Sequence, residues 1–254
     1  GDKDCLGLIP LNRGRDIGYT QINTTTWVYG LMLSNALNDS ALDLNSFESK
    51  FLAYWDIYQE WFRDGSVASV LGLGRESKLQ RLPAWCVVMP WYERSPRQVY
   101  RWLPKRVRHN RKEHGYRFKP GLTRKKLMYL DSLEAGPSHG HQFRSLIVSL
   151  QKNGFNDECN DEDPFKVWVL ETQNDWCWML VSGTHRLSAS AALGLDFVHA
   201  ELERVIRRDE VEVWPGVVNG DFSEAEALFI FDSLVSASLL PQTASLLRHL
   251  GAPS

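Results

Sequence analysis

The chain has 254 residues, of which 43% are hydrophobic and 24% charged, and its formal net charge is −2. These values are typical of a globular protein with a sizeable core, built as one large domain or two small ones. The near-neutral charge excludes a protein that binds polyanions over its whole surface. No apolar run approaches the ~20 residues that a membrane-spanning helix needs, so we expect no membrane span.

The number and spacing of the cysteines indicate the redox state of the cellular compartment. There are four: Cys5, Cys86, Cys159 and Cys177. Their spacing fits no zinc motif, and they are too sparse for the disulfide framework of a small secreted protein. We therefore expect reduced thiols and a cytoplasmic protein. The ten tryptophans are spread along the chain, which predicts walls of the core and of pockets rather than one aromatic cage.

We predict that residues 1–126 form a mostly helical, tryptophan-rich and basic N-terminal part. Residues 1–26 carry turn signals and little periodicity, so we expect loops there. The clearest helix covers about 46–63, because its aromatic residues recur at helical spacing and predict a buried face. A short apolar strand is expected between Pro83 and Pro90.

The segment 94–126 is strongly basic, with thirteen Lys or Arg residues and one acidic residue. Ser95 predicts the start of a helix with Pro96 in its first turn and Gln98 as a capping-box partner. We expect Pro104 to interrupt this helix. The basic face fits a solvated helix surface and equally a platform for an anionic partner, such as a phosphorylated sugar, a glycan precursor or a nucleic acid.

A strand, a glycine turn and a helix are predicted in succession around residue 183. The apolar run 177–181 predicts a buried strand, Ser182 and Gly183 break it, and a helix of small residues follows to about Leu193. Free N–H groups and the positive end of the helix dipole converge at such a helix start. The pattern therefore predicts a binding site for an anion.

The candidate binding residues of this turn are Ser182, Gly183, Thr184, His185 and Arg186. Arg186 supplies a bidentate donor for phosphate oxygens, and His185 supplies a donor or a proton carrier. Thr184 would hold the loop or orient a ligand. A purely structural interpretation also stands, in which Gly183 makes a turn, Thr184 caps the helix and Arg186 pairs with a carboxylate.

The order of elements from about 129 to 232 resembles the ParB/sulfiredoxin-like superfamily. The resemblance is carried by Leu130-Asp-Ser-Leu133, a helix over 142–154, strands over 165–170 and 177–181, Gly183-Thr-His-Arg186 opening a helix, and a strand over 196–200. It implies an α+β fold with a small mixed sheet and helices. It also implies a nucleotide-binding domain over about 127–235. The amphipathic pattern of the residues after it predicts a helical tail over 236–254.

In that superfamily the glycine–arginine turn holds nucleotide phosphates. ParB uses it for CTP, sulfiredoxin uses it for ATP-dependent phosphoryl transfer, and a relative phosphorylates free serine. Thr184 stands where sulfiredoxin has its cysteine, so repair of sulfinic acids is not expected. No helix-turn-helix region follows, as it would in a chromosome-partitioning ParB. The segment 211–235 also resembles ParB-like proteins associated with surface-glycan genes.

The first functional hypothesis is therefore a kinase-like phosphotransferase that uses ATP or another nucleotide. His185 and Arg186 would neutralise the charge that develops in transfer. A carboxylate, either Glu134 or one in the acidic loop 157–163, would bring Mg²⁺ or activate an acceptor hydroxyl. The loop carboxylates are also typical of a solvated surface. The basic segment 94–126 would dock an anionic small-molecule or glycan acceptor.

Two alternatives remain open. The first is a nucleotide-sensing or DNA-associated binding protein without catalysis, whose mark would be salt-dependent DNA binding through the basic segment. The second is a structural partner in a surface-polysaccharide pathway, in which the turn at Gly183 would have a structural role and bind no nucleotide.

Overall fold

The computed structural model of the chain describes residues 6–17, 19–40, 44–63, 65–114, 140–149 and 165–251. Within these ranges five strands form one mixed sheet in the order β1-β5-β3-β4-β2. The strands are β1 (Leu6–Pro10), β2 (Gly14–Arg15), β3 (Phe165–Glu171), β4 (Trp176–Ser182) and β5 (Phe197–Arg207). Pairing is antiparallel for β1 with β5 and for β3 with β4, and parallel for β5 with β3 and for β4 with β2.

Helices surround the sheet, so the mixed α+β class predicted from the sequence is confirmed. The described helices are α1 (Val28–Ser40), α2 (Leu44–Arg63), α3 (Val67–Val70), α4 (Pro96–His114), α5 (140–149), α6 (Thr184–Ala192), α7 (Pro215–Val218), α8 (Glu224–Val235) and α9 (Pro241–His249). No described helix is both long and apolar enough to cross a membrane.

The central hairpin positions the turn at residue 183. A four-residue connection joins β3 to β4, and it is closed by a hydrogen bond from the Thr172 N–H to the Asp175 carbonyl at 2.8 Å. The register then pairs Glu171 with Trp176 and Lys166 with Ser182. The end of β4 therefore lies beside the start of β3, where Phe165 is fully buried.

Each face of the sheet packs against a different layer. On one face, Phe165 and Val167 of β3 pack against Leu187 of α6. On the other face, Leu170 and Ile206 pack in a cluster that includes Phe231 of α8. The register shift between Val167 and Trp168 inserts one extra residue into β5. As a result, Ala200 of β5 packs on the α6 face and Ile206 packs on the α8 face.

A third cluster lies outside the sheet and joins helices from distant parts of the chain. It contains Phe47 and Phe51 of α2, Phe143 of α5, Ala189 of α6 and Leu246 of α9. These residues belong to all three segments into which the sequence was divided at about 126 and 235. That division stays a prediction.

Three local predictions were wrong. Residues 1–26 were expected to be loops, but Leu6–Pro10 pairs with residues 197–201 of β5. The segment between Pro83 and Pro90 forms a 3₁₀ turn at Ala84–Cys86 instead of a strand, closed by a 3.0 Å bond from the Val87 N–H to the Ala84 carbonyl. Helix α4 continues through Pro104. An interior proline bends a helix rather than ending it when the flanking turns keep their hydrogen bonds.

Candidate functional site

Gly183 sits between the last residue of β4 and the first residue of α6. Its φ of +102° and ψ of 24° place it in the left-handed region. A Cβ at this position would lie 2.8 Å from Cδ1 of Phe165 and 3.5 Å from Nη2 of Arg186. A side chain at residue 183 would therefore be both strained and obstructed, so glycine is required for the turn to lie against the sheet.

Helix α6 begins without a side-chain cap among the described residues. Its first internal hydrogen bond runs from the Leu187 N–H to the Gly183 carbonyl at 3.0 Å. The N–H groups that precede it in any α-helix have no acceptor inside the helix, and the helix dipole adds positive potential at this end. The start of α6 therefore has the polarity that an anionic ligand requires.

Arg186 lies in the first turn of α6 and contacts the sheet. Its guanidinium carbon is 5.1 Å from the centre of the Phe165 ring, which is within cation–π range. Since the guanidinium also approaches Gly183, the cation is held beside the turn rather than extended into solvent. The structure thus places Gly183 and Arg186 together, as the sequence predicted.

His185 faces a helix that the sequence did not connect to it. Its ring lies 4.7 Å from the centre of the Phe143 ring of α5, with the two planes tilted by 60°. Burial lowers the pKa of the His185 imidazole below its usual 6.5. The neutral imidazole is therefore favoured at neutral pH, so it acts as a hydrogen-bonding group, and Arg186 supplies the positive charge of the turn.

An open cleft of about 550 Å³ lies in front of the turn. Among the described residues, 183–186 line one side of it, and Tyr29 of α1 with Gln142 and Leu146 of α5 also line it. This volume lies in the range of small-molecule sites, and the lining combines apolar walls with a few polar groups, as such sites do.

Both walls opposite the turn are fixed by packing. Tyr29 contacts the rings of Trp27, Trp55 and Tyr58 at centroid distances of 6.1, 6.3 and 6.0 Å. Phe143 of α5 lies 5.1 Å from Phe51 of α2. The cleft is therefore formed by helices that the aromatic cluster holds in place, rather than by side chains exposed on a loop.

Other residues expected at the site lie elsewhere or are not described. Ser182 ends β4, is exposed and pairs with Lys166, and it does not line the cleft. Glu134 and the acidic loop 157–163 lie outside the described residues. Thr184 lines the cleft, and its carbonyl accepts a 2.8 Å bond from the Ser188 hydroxyl.

The described residues do not provide a magnesium site. Among the described residues no carboxylate lines the cleft, and no group of three or more His, Cys, Asp or Glu side chains could hold a metal ion. Magnesium in phosphoryl-transfer sites is usually held by one or two carboxylates together with the phosphates. The expected Mg²⁺ ligands, Glu134 and the loop 157–163, lie outside the described residues, so the Mg²⁺ site stays a prediction.

The described part of the basic segment lies away from the cleft. Val99 and Tyr100 of α4 pack against the cluster on the face of the sheet opposite α6. No residue that lines the cleft comes from the described part of α4. The described basic side chains of this helix thus lie on a surface separate from the cleft.

Sequence reasoning missed a half-buried aspartate that interacts with an aromatic residue next to the cleft wall. Asp16 follows β2, and burial raises the pKa of its carboxyl, although the Ile17 N–H partly offsets this effect. Burial raises the pKa of the Tyr58 hydroxyl, and the nearby Tyr29 and Asp16 raise it further. Tyr58 contacts Tyr29 at the cleft wall. Nothing in the local sequence indicates this position, because a single aspartate in a segment of turn residues is usually solvated.

No family model, curated protein or solved structure matches this chain. The functional argument therefore depends on the geometry of the cleft and on the chemistry of its residues.

Proposed function

We propose that the chain is a nucleotide-dependent phosphotransferase of the ParB/sulfiredoxin-like type, with ATP or another nucleotide as phosphate donor and a small or glycan-type hydroxyl compound as acceptor. One observation supports this most directly. A cleft of about 550 Å³ is bordered by Arg186 and by the start of α6, which has no described side-chain cap. The turn at this point contains Gly183, where a side chain would be obstructed.

Each group at the turn has a role in this proposal. The first N–H groups of α6 bind phosphate oxygens, and glycine at residue 183 lets the phosphates approach the backbone. Arg186 neutralises the charge that develops on the transferred group. His185 donates a hydrogen bond from a neutral imidazole. The tyrosine and leucine walls contact the nucleoside, and the acceptor enters from the open side.

Magnesium normally accompanies nucleotides and supplies charge neutralisation when it is bound. Because no described carboxylate lines the cleft, no step of the proposal is assigned to it. Glu134 stays a predicted catalytic residue.

Thermal unfolding with ATP, ADP, CTP and GTP, each with and without Mg²⁺, tests the nucleotide site. A nucleotide at 100 times its Kd should stabilise the fold by about 2.7 kcal/mol. Arg186→Ala should weaken binding at least about tenfold, since it removes a charge-assisted donor. Arg204→Ala is the matched control, because Arg204 also lies over an aromatic ring, 5.8 Å from the centre of Trp168, but outside the cleft.

A nucleotide that binds the wild type and Arg204→Ala equally but not Arg186→Ala supports the site. Equal binding by Arg186→Ala, or no shift with any nucleotide, contradicts it. Transfer is tested separately, by following the terminal phosphate of the bound nucleotide in the presence of serine and of sugar acceptors.

A nucleotide-sensing protein without catalysis is the second candidate. The observation in its favour is that no carboxylate among the described residues lines the cleft to activate an acceptor. It predicts binding that depends on Arg186 while the nucleotide stays intact with every acceptor.

A further inference from the structure

The outer face of α4 carries a continuous row of cations. Arg97, Arg101, Lys105 and Arg108 are all exposed, and their spacing of four, four and three residues places them on one side of the helix. From Arg97 to Arg108 the helix advances eleven steps, or about 16 Å at 1.5 Å per residue. No acidic residue occurs between Arg94 and His109.

An exposed aromatic side chain lies within this row. The side chain of Trp102 is 51% exposed, whereas Trp27, Trp91 and Trp178 are almost completely buried. The Arg94 guanidinium carbon lies 4.7 Å from the centre of the Trp102 ring, and the Lys105 ammonium lies 5.6 Å from it. The indole thus presents an accessible aromatic surface between two positive charges.

The inner face of α4 holds this surface in place. Tyr100 stacks on Trp85 at a centroid distance of 5.5 Å with planes 18° apart, and Val99 packs on the adjoining core. Ser95 and Gln98 form a reciprocal cap at the start of the helix, with bonds of 2.9 and 3.2 Å. No ion pair joins the row to a described carboxylate.

We propose that this face of α4 binds single-stranded nucleic acid. The cations follow the phosphates of the strand, and a base stacks on Trp102. The row is several times longer than the 3.4 Å step between phosphates along a stacked strand, so its length suits a polymer better than a single phosphorylated molecule. In a duplex the bases are already stacked inside, which would leave the indole without a base to contact.

The proposal is independent of the cleft, because no residue that lines the cleft comes from the described part of α4. The surface and the nucleotide site can therefore be tested separately, and either can fail alone.

The test measures fluorescence anisotropy of a labelled 12-nucleotide single strand at several salt concentrations. If the four cations of the row and Arg94 all contact phosphates, log Kd should change with log salt with a slope of magnitude about 3.5. Trp102→Ala should weaken binding at least about fivefold, since a base–aromatic stack is lost. Phe229→Ala on α8, an aromatic residue with 44% exposure, is the matched control and should have no effect.

The double variant Arg101→Glu with Lys105→Glu tests the row of cations. It should weaken binding and reduce the salt slope by about 1.4, because two phosphate contacts are lost. The control, Arg75→Glu with Arg248→Glu, changes the net charge equally at exposed positions outside α4. Thermal unfolding of all four variants checks that each one folds.

Three results would overturn the proposal: no binding of the single strand, equal affinity for the corresponding duplex, or unchanged affinity in Trp102→Ala. Heparin binding as tight as that of the strand and insensitive to Trp102→Ala would also overturn it, since the surface would then be a general polyanion site.

Discussion

Gly183 determines where the turn can lie relative to the sheet. Its positive φ costs an ordinary residue about 1–2 kcal/mol, and its missing Cβ avoids the Phe165 ring. Gly194, just beyond the other end of α6, also has positive φ, at +72°, but open space around its missing Cβ. Replacing each glycine by alanine therefore distinguishes the cost of backbone strain, present at both positions, from the cost of steric obstruction, present only at residue 183.

We expect Gly183→Ala to lower the free energy of unfolding by more than Gly194→Ala does. Both variants should lose about 1–2 kcal/mol through strain, and only Gly183→Ala should lose more, through the clash with Phe165. Urea unfolding measures both values. Equal losses in the two variants would mean that Phe165 moves away without cost.

His185 should make the stability of the fold depend on pH. Burial lowers its pKa in the folded state below the unfolded value of about 6.5. Below pH 6.5 the unfolded chain therefore binds more protons, and the free energy of unfolding should fall as the pH decreases. The loss should be smaller in His185→Asn between pH 7 and 5. An NMR titration midpoint for His185 at or above 6.5 would contradict this.

At the residue level, the sequence predicts contacts between residues that are close to each other along the chain. The closeness of Gly183 and Arg186 follows from strand, turn and helix signals within a few residues. Their partners Phe165 and Phe143 come from elements about 20 and 40 residues away, and no local pattern specifies such contacts. Asp16 was missed for the same reason, since its burial results from tertiary packing around a segment of turn residues.

At the level of elements, helix ends were predicted well because caps are local. The capping box predicted at Ser95 and Gln98 is confirmed. Ser223 and Glu226 form a second one at the start of α8. The Glu226 N–H donates to the Ser223 hydroxyl at 3.2 Å, and the Ser223 N–H donates to the Glu226 carboxylate at 2.8 Å. Strand β1 was missed because its partner, β5, lies about 190 residues away and short edge strands have little pattern of their own.

Ser223→Ala should destabilise the fold by about 1 kcal/mol, since the cap of α8 is lost. Ser145→Ala is the control, because the Ser145 hydroxyl bonds back to the His141 carbonyl within α5 and caps no N–H group. The control should change the unfolding free energy by less than about 0.5 kcal/mol. Chemical denaturation compares the two, and similar values would argue against a role for the cap.

At the level of the whole molecule, a buried arginine joins the edge of the sheet to the end of α8. Arg15 of β2 is 7% exposed. Its side chain donates to the Leu234 and Val235 carbonyls at 2.9 and 3.4 Å, and to the Asn12 and Gly14 carbonyls at 2.9 and 3.0 Å. Cations at a helix C-terminus also interact favourably with its dipole.

Arg15→Ala should therefore lower the free energy of unfolding by about 2 kcal/mol or more, because it removes a buried cation that bonds to both elements. The Leu234 carbonyl keeps a second donor, the Ala237 N–H at 3.1 Å. Arg13→Ala is the matched control two residues away. Arg13 pairs with Asp175 near the surface, and such exposed pairs contribute about 0–1 kcal/mol. Arg15→Lys should recover part of the loss, since an ammonium keeps the charge but cannot reach all four carbonyls. Urea unfolding of the three variants measures these differences, and equal losses for Arg15→Ala and Arg13→Ala would show that the sheet edge and α8 are held together by apolar packing alone.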